Sequence, residues 1–153
     1  MALHQFTLEA DWPGGRNEVG TITASNLQTA ISIPPEMDGP GIGTNPDEML
    51  LGAAATCYLI SAAAMIERAD LPLQHISLRS IGEVDVTKGV FTYKRIIHQP
   101  VVILKQEATT RQLRQLEKII NQAEASCMIS RALRGNVNIE LEANLSIARE
   151  EDA

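Results

Sequence analysis

The chain contains 153 residues, of which 44% are hydrophobic and 21% are charged, and its formal net charge is −6. This length predicts one domain over residues 1–153 that buries a sizeable core of its own. The acidic balance, with no stripe of Lys and Arg, disfavours nucleic acid and anionic membrane surfaces as partners. Residues 1–8 lack the charged start and long apolar stretch of a secretory signal, so a cytoplasmic protein is expected.

The first third of the chain has the pattern of β-strands. β-branched residues in partial alternation predict strands over residues 3–11, 19–24 and 28–33. The clusters Gly14-Gly15 and Ser25-Asn26 predict the turns between them. Residues 34–45, rich in Pro and Gly, form a long connection of the kind that covers or shapes a site.

A long helix is predicted next, from Pro46 to about Arg68. Asn45 is suited to cap it, and Pro46 to its first position, where no backbone donor is needed. Residues 49–66 carry no charge, which is just long enough for a membrane span. This run is rich in alanine, however, which gains little in lipid and packs closely in protein, so a buried central helix is the better explanation.

The rest of the chain predicts further strands and helices. We expect strands over 73–79, 81–87, 90–104 and 136–147, a helix from about Thr109, and a short helix capped by Ser126 that ends at Gly135. Lys88-Gly89 is the expected turn before the third of these strands, and Pro100 suggests a bulge or an edge strand within it. This order of strands, helix, strands, helix and strand predicts an α+β fold.

Cys57 and Cys127 are the two cysteines of the chain, and their spacing fits neither a CxxC redox motif nor a zinc ribbon. Free cysteines are most often small buried hydrophobes. Two features favour reactivity instead. Cys127 falls near the predicted start of a helix, which favours thiolate over thiol. The turn "WPGGRNE" presents Arg16 on a flexible lead, where it could reach an anion or simply be solvated.

Three segments make the chain resemble the OsmC/Ohr family of thiol peroxidases. They are "GGR" in the first hairpin, "GTNPDEMLLGAAATCY" at the start of the central helix and "AEASCMISRALRGNV" before the last strand. The resemblance implies an α+β fold with antiparallel sheets around a long central helix. It also implies an intertwined homodimer with its two active sites at the subunit interface.

The resemblance further implies the chemistry and its residues. Cys57 would be the thiolate that attacks a hydroperoxide and becomes a sulfenic acid, and Cys127 would then form a disulfide with it. Arg16 would stabilise the thiolate, and a dithiol reductant, lipoyl-type in Ohr relatives, would reset the enzyme without a bound metal, haem or flavin. The alanine-lined site would favour organic hydroperoxides over hydrogen peroxide.

Asp47 and Glu48 are the candidates to orient Arg16. The family places Glu directly after Asn-Pro, a position that Asp47 occupies here. On a helix Asp47 lies about 80° from Cys57 and Glu48 about 180° away, so geometry also favours Asp47. Asp is one methylene shorter than Glu, however, so Glu48 remains the alternative. Both carboxylates would also complement the positive end of the helix dipole.

Three other functions compete with the peroxidase. A Cys-His hydrolase would pair Cys57 with His4, His75 or His98, none of which lies in a recognisable Cys-His motif. A metal site of two Cys and two His lacks ligand spacing. A non-catalytic protein could use the alanine-lined cleft for a small apolar ligand. Tyr58, next to Cys57, either borders the pocket or is a core aromatic.

Overall fold

The computed structural model describes residues 1–150 and has an α+β architecture. Its elements are β1 (Glu9–Asp11), β2 (Gly20–Ala24), β3 (Leu27–Ile31), a 3-10 turn (Pro35–Met37), α1 (Pro46–Arg68), β4 (Leu73–Thr87), β5 (Val90–Leu104), α2 (Thr110–Ser126), α3 (Met128–Leu133), β6 (Asn138–Leu141) and β7 (Asn144–Ile147). The chain forms two compact units, one from Met1 to Met49 and the other from Leu50 onwards. The expectation of a single domain therefore stays a prediction.

The first unit contains an antiparallel sheet in the order β1-β2-β3. β1 is shorter than the predicted strand because its partner ends early. Glu9 pairs with Thr23, and β2 stops at Ala24 before the turn at Ser25, where φ is 51°. Residues 3–8 therefore lie outside the sheet, and Leu3 and Phe6 are exposed.

The Pro- and Gly-rich connection folds back on β3 as an ordered loop. Ser32 Oγ donates to Ile42 O over 2.7 Å and accepts from Ile42 N over 2.8 Å. Thr44 N donates to Ala30 O over 2.9 Å, which holds Gly43 against Ala30. Gly43 has a φ of 71°, and a Cβ there would collide with the Ala30 carbonyl, so glycine is required.

The central helix has the predicted bounds, and its cap is confirmed. Asn45 Oδ1 accepts a hydrogen bond from Glu48 N over 2.9 Å. α1 is long and apolar enough to cross a membrane by length and composition. Its fully buried side chains, Ala54, Tyr58, Ala62 and Ile66, pack in the protein interior, so α1 is the core helix of the fold.

The expected α+β fold with a long helix is confirmed, and the sheet of the second unit is mixed, with antiparallel and parallel pairs. β4 and β5 form a long antiparallel hairpin closed by the predicted Lys88-Gly89 turn, and both turn residues have positive φ. β6 and β7 both pair with β5 in parallel, because α2 and α3 carry the chain back across the sheet.

Pro100 explains why the predicted last strand is divided. β6 pairs with β5 from Arg95 to His98, and β7 pairs with it from Val101 to Leu104. The His98 carbonyl accepts a hydrogen bond from Glu142 N over 2.9 Å, on the side of β5 that faces β6 and β7. Backbone groups two residues apart in a strand face the same side, so the nitrogen of Pro100 also faces β6 and β7. Pro100 has no N–H to donate there, and the ladder is interrupted at that point. The expected bulge or edge is wrong, since β5 is a central strand.

The two C-terminal helices meet at Cys127. α2 starts with a complete capping box, in which Thr109 Oγ1 accepts from Gln112 N and Gln112 Oε1 accepts from Thr109 N. Ser126 does not cap α3, contrary to expectation. It is the last residue of α2, and its hydroxyl donates to Gln122 O over 2.8 Å, which leaves Cys127 in the capping position.

The main core lies between α1, α2 and the mixed sheet. Its fully buried members include Ile66 from α1, Leu116 and Ile120 from α2, and Val102 from β5. Cys127 belongs to this cluster, and Cys57 packs against it. The fold thus brings the two cysteines, distant in sequence, to one core.

Candidate active site

Cys57 lies in the middle of α1 and is half-buried. The residues at positions 52–56 are small, and Cys57 itself packs against the main core cluster. Its neighbour Tyr58 is fully buried, and the hydroxyl of Tyr58 donates to Ile120 O over 3.2 Å. Tyr58 is therefore a core aromatic that fixes this turn of α1 against α2.

Cys127 is fully buried where α2 ends and α3 begins. Its N–H donates to Ala123 O over 3.0 Å, and its carbonyl accepts from Arg131 N over 2.9 Å. The residue is thus tied to both helices through its backbone. Both cysteines are free thiols.

Four hydrogen-bonding groups converge on the Cys57 sulfur. Burial acts to raise the pKa of Cys57, but hydrogen bonds from the Cys127 thiol, the Ile129 and Met128 amides and the Ser61 hydroxyl outweigh it. The net effect lowers the pKa of Cys57 below that of an ordinary thiol. The two amides belong to the first turn of α3, where N–H groups have no partner within the helix.

Cys127 shows the opposite shift, which differs from expectation. Burial and then the neighbouring Cys57 raise the pKa of Cys127, more than the Ser130 and Ile129 groups lower it. The start of α3 thus acts on both sulfurs, but burial and the neighbouring Cys57 outweigh it at Cys127, so the thiolate is favoured on Cys57, which belongs to α1. The pair is arranged as a thiolate that accepts a hydrogen bond from a thiol.

His98 is fully buried, and its contacts make it part of the core. Its Nδ1 lies 2.6 Å from Ser80 Oγ, and its ring stacks on Tyr58 with centroids 5.0 Å apart. Burial lowers the pKa of His98, so the ring is neutral. The groups that shift the pKa of Cys57 include no histidine, which gives the Cys-His hydrolase no support. His4 and His75 are exposed.

Arg16 lies in the loop between β1 and β2 and is hydrogen-bonded within the first unit. Its guanidinium donates to Met37 O over 2.7 Å, to Asp38 O over 3.2 Å and to Asn17 Oδ1 over 2.8 Å. Two of these acceptors lie in the Pro- and Gly-rich connection. The side chain is therefore anchored rather than freely solvated, and that connection is what anchors it.

Glu48 and Asp47 occupy the first turn of α1, as expected. Glu48 accepts a hydrogen bond from Thr44 Oγ1 over 3.0 Å, while its N–H donates to the Asn45 cap. Glu48 thus takes part in the capping of α1. Asp47 also lies next to the positive end of the helix dipole.

Within residues 1–150, no group of three or more His, Cys, Asp and Glu side chains is arranged to hold a metal ion. The polar groups around Cys57 are hydrogen-bond donors, which suit an anionic sulfur. The arrangement can hold a nucleophilic thiolate beside a second thiol.

A family model of OsmC-like proteins matches residues 39–142, which include both cysteines and the whole of α1, β4, β5, α2 and α3. The chain belongs to the OsmC-like family. The uncharacterized protein YmaD of Bacillus subtilis is 59% identical over 150 residues, which cover 98% of this chain and 100% of that protein. An organic hydroperoxide resistance protein of Xanthomonas axonopodis is 27% identical, over 89% of this chain and 92% of its own length.

Solved OsmC-like structures share the fold. An organic hydroperoxide resistance protein OsmC from Legionella pneumophila superposes with a TM-score of 0.76 at 22% identity, over 94% of this chain and 99% of that one. OhrB of Bacillus subtilis gives a TM-score of 0.67 at 24% identity, over 94% of this chain and 100% of its own. The long core helix and the sheets are therefore the OsmC-like architecture.

Sequence analysis did not identify three of the groups that act on Cys57. Ser61 follows Cys57 by four positions and so lies on the same face of α1, a spacing that could have identified it. Met128 and Ile129 act through their backbone amides, so their side chains gave no signal. Only the position of a helix start directly after Cys127 pointed to these donors.

Proposed function

We propose that this OsmC-like protein is a cysteine-based peroxidase that reduces organic hydroperoxides, and more weakly hydrogen peroxide, to alcohols or water in defence against oxidative stress. The observation that carries the proposal is the thiol pair, in which the pKa of Cys57 is lowered and Cys127 is its hydrogen-bond partner. Membership of the family and relatives named for organic hydroperoxide resistance support it.

In the first proposed step, the Cys57 thiolate attacks the distal oxygen of the hydroperoxide. The O–O bond breaks, the leaving oxygen takes a proton to become the alcohol, and Cys57 becomes a sulfenic acid. A thiolate is needed because the thiol form is a poor nucleophile. The donors that hold the negative charge, Ser61 and the amides of Met128 and Ile129, are aimed at that sulfur before the reaction begins.

In the second proposed step, Cys127 attacks the Cys57 sulfur. An S–S bond forms, the S–O bond breaks, and the oxygen leaves as water after taking a proton. A dithiol reductant, such as a lipoyl group, then reduces the disulfide and is itself oxidised to a cyclic disulfide. The Cys127 thiol acts on the Cys57 sulfur as a hydrogen-bond donor, which supports a resolving role for Cys127.

Arg16, Asp47 and Glu48 enter the proposal as supporting residues. Arg16 supplies a positive charge to the thiolate, and Asp47 orients the guanidinium through a charge-assisted hydrogen bond. Glu48 is the alternative partner, although its hydrogen bonds to Thr44 and to the Asn45 cap favour a capping role. The guanidinium of Arg16 has five N–H donors, and its three hydrogen bonds to Met37, Asp38 and Asn17 leave donors that could act on a thiolate.

We further propose that the protein acts in the cytoplasm as a homodimer, without a bound metal, haem or flavin. Exposed apolar side chains favour association with a second copy, among them Val86, Val90 and Phe91 at the end of the β4–β5 hairpin and Leu3 and Phe6 near the N-terminus. Free thiols are typical of a reducing compartment.

The test is reductant-coupled turnover with cumene hydroperoxide, tert-butyl hydroperoxide and hydrogen peroxide. Cys57→Ser should abolish turnover of all three substrates, and Arg16→Ala should slow it. Arg79→Ala, which removes an exposed arginine of β4, is the matched control and should not. Turnover in Cys57→Ser would overturn the proposal.

A second measurement tests the role of Cys127. Peroxide given with limiting reductant should produce an internal Cys57–Cys127 disulfide, which mass spectrometry detects as a loss of about 2 Da. Cys127→Ser should instead stop at the sulfenic acid and lose activity in repeated cycles. Unlimited turnover of Cys127→Ser with a dithiol would show that Cys127 is not the resolving residue.

A further inference from the structure

A cleft beside α3 has charged side chains that the proposed thiol chemistry does not use. It has a volume of about 440 Å³ and is lined by Lys94 of β5, Glu124 of α2, Ser130 of α3 and residues 134–139. We call it the α3 cleft. Neither Cys57 nor Ser61 lines it, so it is distinct from the space in which a peroxide would meet the thiolate.

The charge of the α3 cleft is opposite to that of the chain. Lys94 and Arg134 place two positive charges at its exposed rim, against one negative charge from Glu124. The whole chain has a net charge of −6. Arg134 is held over the cleft by a hydrogen bond of 3.4 Å from its guanidinium to Ala125 O. A local excess of cations on an acidic protein attracts a small anion to this place.

Ser130 provides an independent sign of a ligand. Its side chain is buried, with 1% of its surface exposed, and its Oγ has no well-formed hydrogen bond among the described residues. The Ser130 hydroxyl acts on the Cys127 sulfur, but sulfur is a weak acceptor, whereas an acceptor oxygen in the cleft would give this buried hydroxyl a full hydrogen bond. The cleft thus offers one guanidinium, one ammonium and one hydroxyl, which together match the oxygens of a carboxylate.

We propose that the α3 cleft binds the carboxylate of a small anionic molecule between Lys94 and Arg134, with Ser130 as the hydroxyl that connects the bound carboxylate to Cys127. Lys94, Arg134 and the part-buried Glu124 leave the cleft with one net positive charge, which the single carboxylate group that enters it would balance, whereas a doubly charged phosphate would place a second negative charge beside Glu124.

A carboxylate bound in the cleft should change the ionisation of the thiol pair. The backbone and side chain of Ser130 both lower the pKa of Cys127. A carboxylate that takes the Ser130 hydroxyl removes part of this effect and adds a negative charge nearby. Both changes disfavour thiolate, so the bound carboxylate should move the alkylation of the thiols to higher pH.

Binding is tested on the reduced, full-length protein with succinate as the probe, by calorimetry or NMR titration at fixed ionic strength. Succinamide has the same length without charge and should not bind, and inorganic phosphate should bind more weakly than succinate. Lys94→Gln and Arg134→Gln should each weaken succinate binding about tenfold. Glu124→Gln should strengthen it, because a like charge is removed.

Arg131→Gln is the matched control, since it removes an exposed cation of α3 that does not line the cleft. It should leave succinate binding unchanged. Ser130→Ala should weaken succinate binding and abolish the shift that succinate causes in the pH midpoint of thiol alkylation. Arg134→Gln should keep the midpoint of the ligand-free protein even when succinate is present, because this variant binds succinate poorly. Three results would each overturn the proposal: no binding of succinate, equal binding of phosphate and succinate, or equal effects of Arg131→Gln and Arg134→Gln on succinate binding. Because no peroxide is present, such a failure would leave the proposed peroxidase unaffected.

Discussion

The hydrogen bond from Cys127 to Cys57 makes a quantitative prediction about thiol ionisation. After burial, which acts in the opposite direction, this bond is the largest influence on the lowered pKa of Cys57. A hydrogen bond to a charged group is worth about 1.5–3 kcal/mol, or about 1–2 pH units. Cys57 is only half-buried, so solvent screens the charge and the lower end applies. Cys127→Ala should therefore raise the midpoint of Cys57 ionisation by about 1 pH unit.

The assay is the rate of iodoacetamide alkylation at Cys57 as a function of pH, followed by peptide mass spectrometry. Cys127→Ser keeps a donor hydroxyl and should give a midpoint between those of wild type and Cys127→Ala. Ser61→Ala should raise the midpoint by less, and Ser126→Ala, whose hydroxyl bonds to Gln122 O instead, should not move it. An unchanged or lower midpoint in Cys127→Ala would refute the reasoning, because the thiol would then not be stabilising the charge.

Three further predictions concern stability. Burial lowers the pKa of His98 below 6.5, so the unfolded chain binds a proton at His98 more readily than the folded chain does. The contribution of His98 to the free energy of unfolding is therefore complete above pH 6.5 and is lost as the pH falls below it. Urea midpoints measured from pH 8 to pH 5 should decline less steeply in His98→Gln than in wild type. Gly43→Ala should lower the free energy of unfolding by about 1–3 kcal/mol or more, because the new Cβ meets the Ala30 carbonyl. Gly89→Ala should lower it by about 1 kcal/mol, because Gly89 has a similar φ but open space around it. Ile66→Ala should cost about 2–5 kcal/mol in urea unfolding, whereas the 69%-exposed Ile60→Ala should cost less than about 1 kcal/mol.

The helices could be predicted closely because their ends carry local chemical signals. Asn45 and Thr109 each place an oxygen where the first turn of a helix needs an acceptor, and both caps form. The strands were less predictable, because pairing depends on distant partners. Residues 3–8 have the alternation of a strand, but β2 ends at Ala24, so they have no strand to pair with on that side.

The candidate site was predictable in its thiols and not in its electrostatics. Cys57 and Cys127 stand out as the two cysteines in the chain, and packing against one core brings them together. Which of them ionises depends on donors from both helices. A helix start directly after Cys127 suggested a thiolate there, and its amides do lower the pKa of Cys127, but burial and the neighbouring Cys57 outweigh them. Sequence position alone cannot show how deeply each sulfur is buried, nor that the amides of Met128 and Ile129 also reach Cys57.

Pro100 also limits how the mixed sheet can be assembled. A slide by one residue turns every side chain of a strand to the other face of the sheet, whereas a slide by two residues keeps the faces and forms a similar set of hydrogen bonds. Here a two-residue slide of β5 would place Pro100, which has no N–H, opposite a carbonyl of β6 or β7 that needs a donor, and the interruption after Leu141 would lie beside an N–H of β5 without a partner. Pro100 thus disfavours shifted pairings of β6 and β7 with β5, and so keeps α2, α3 and the Cys127 between them at one position along the sheet.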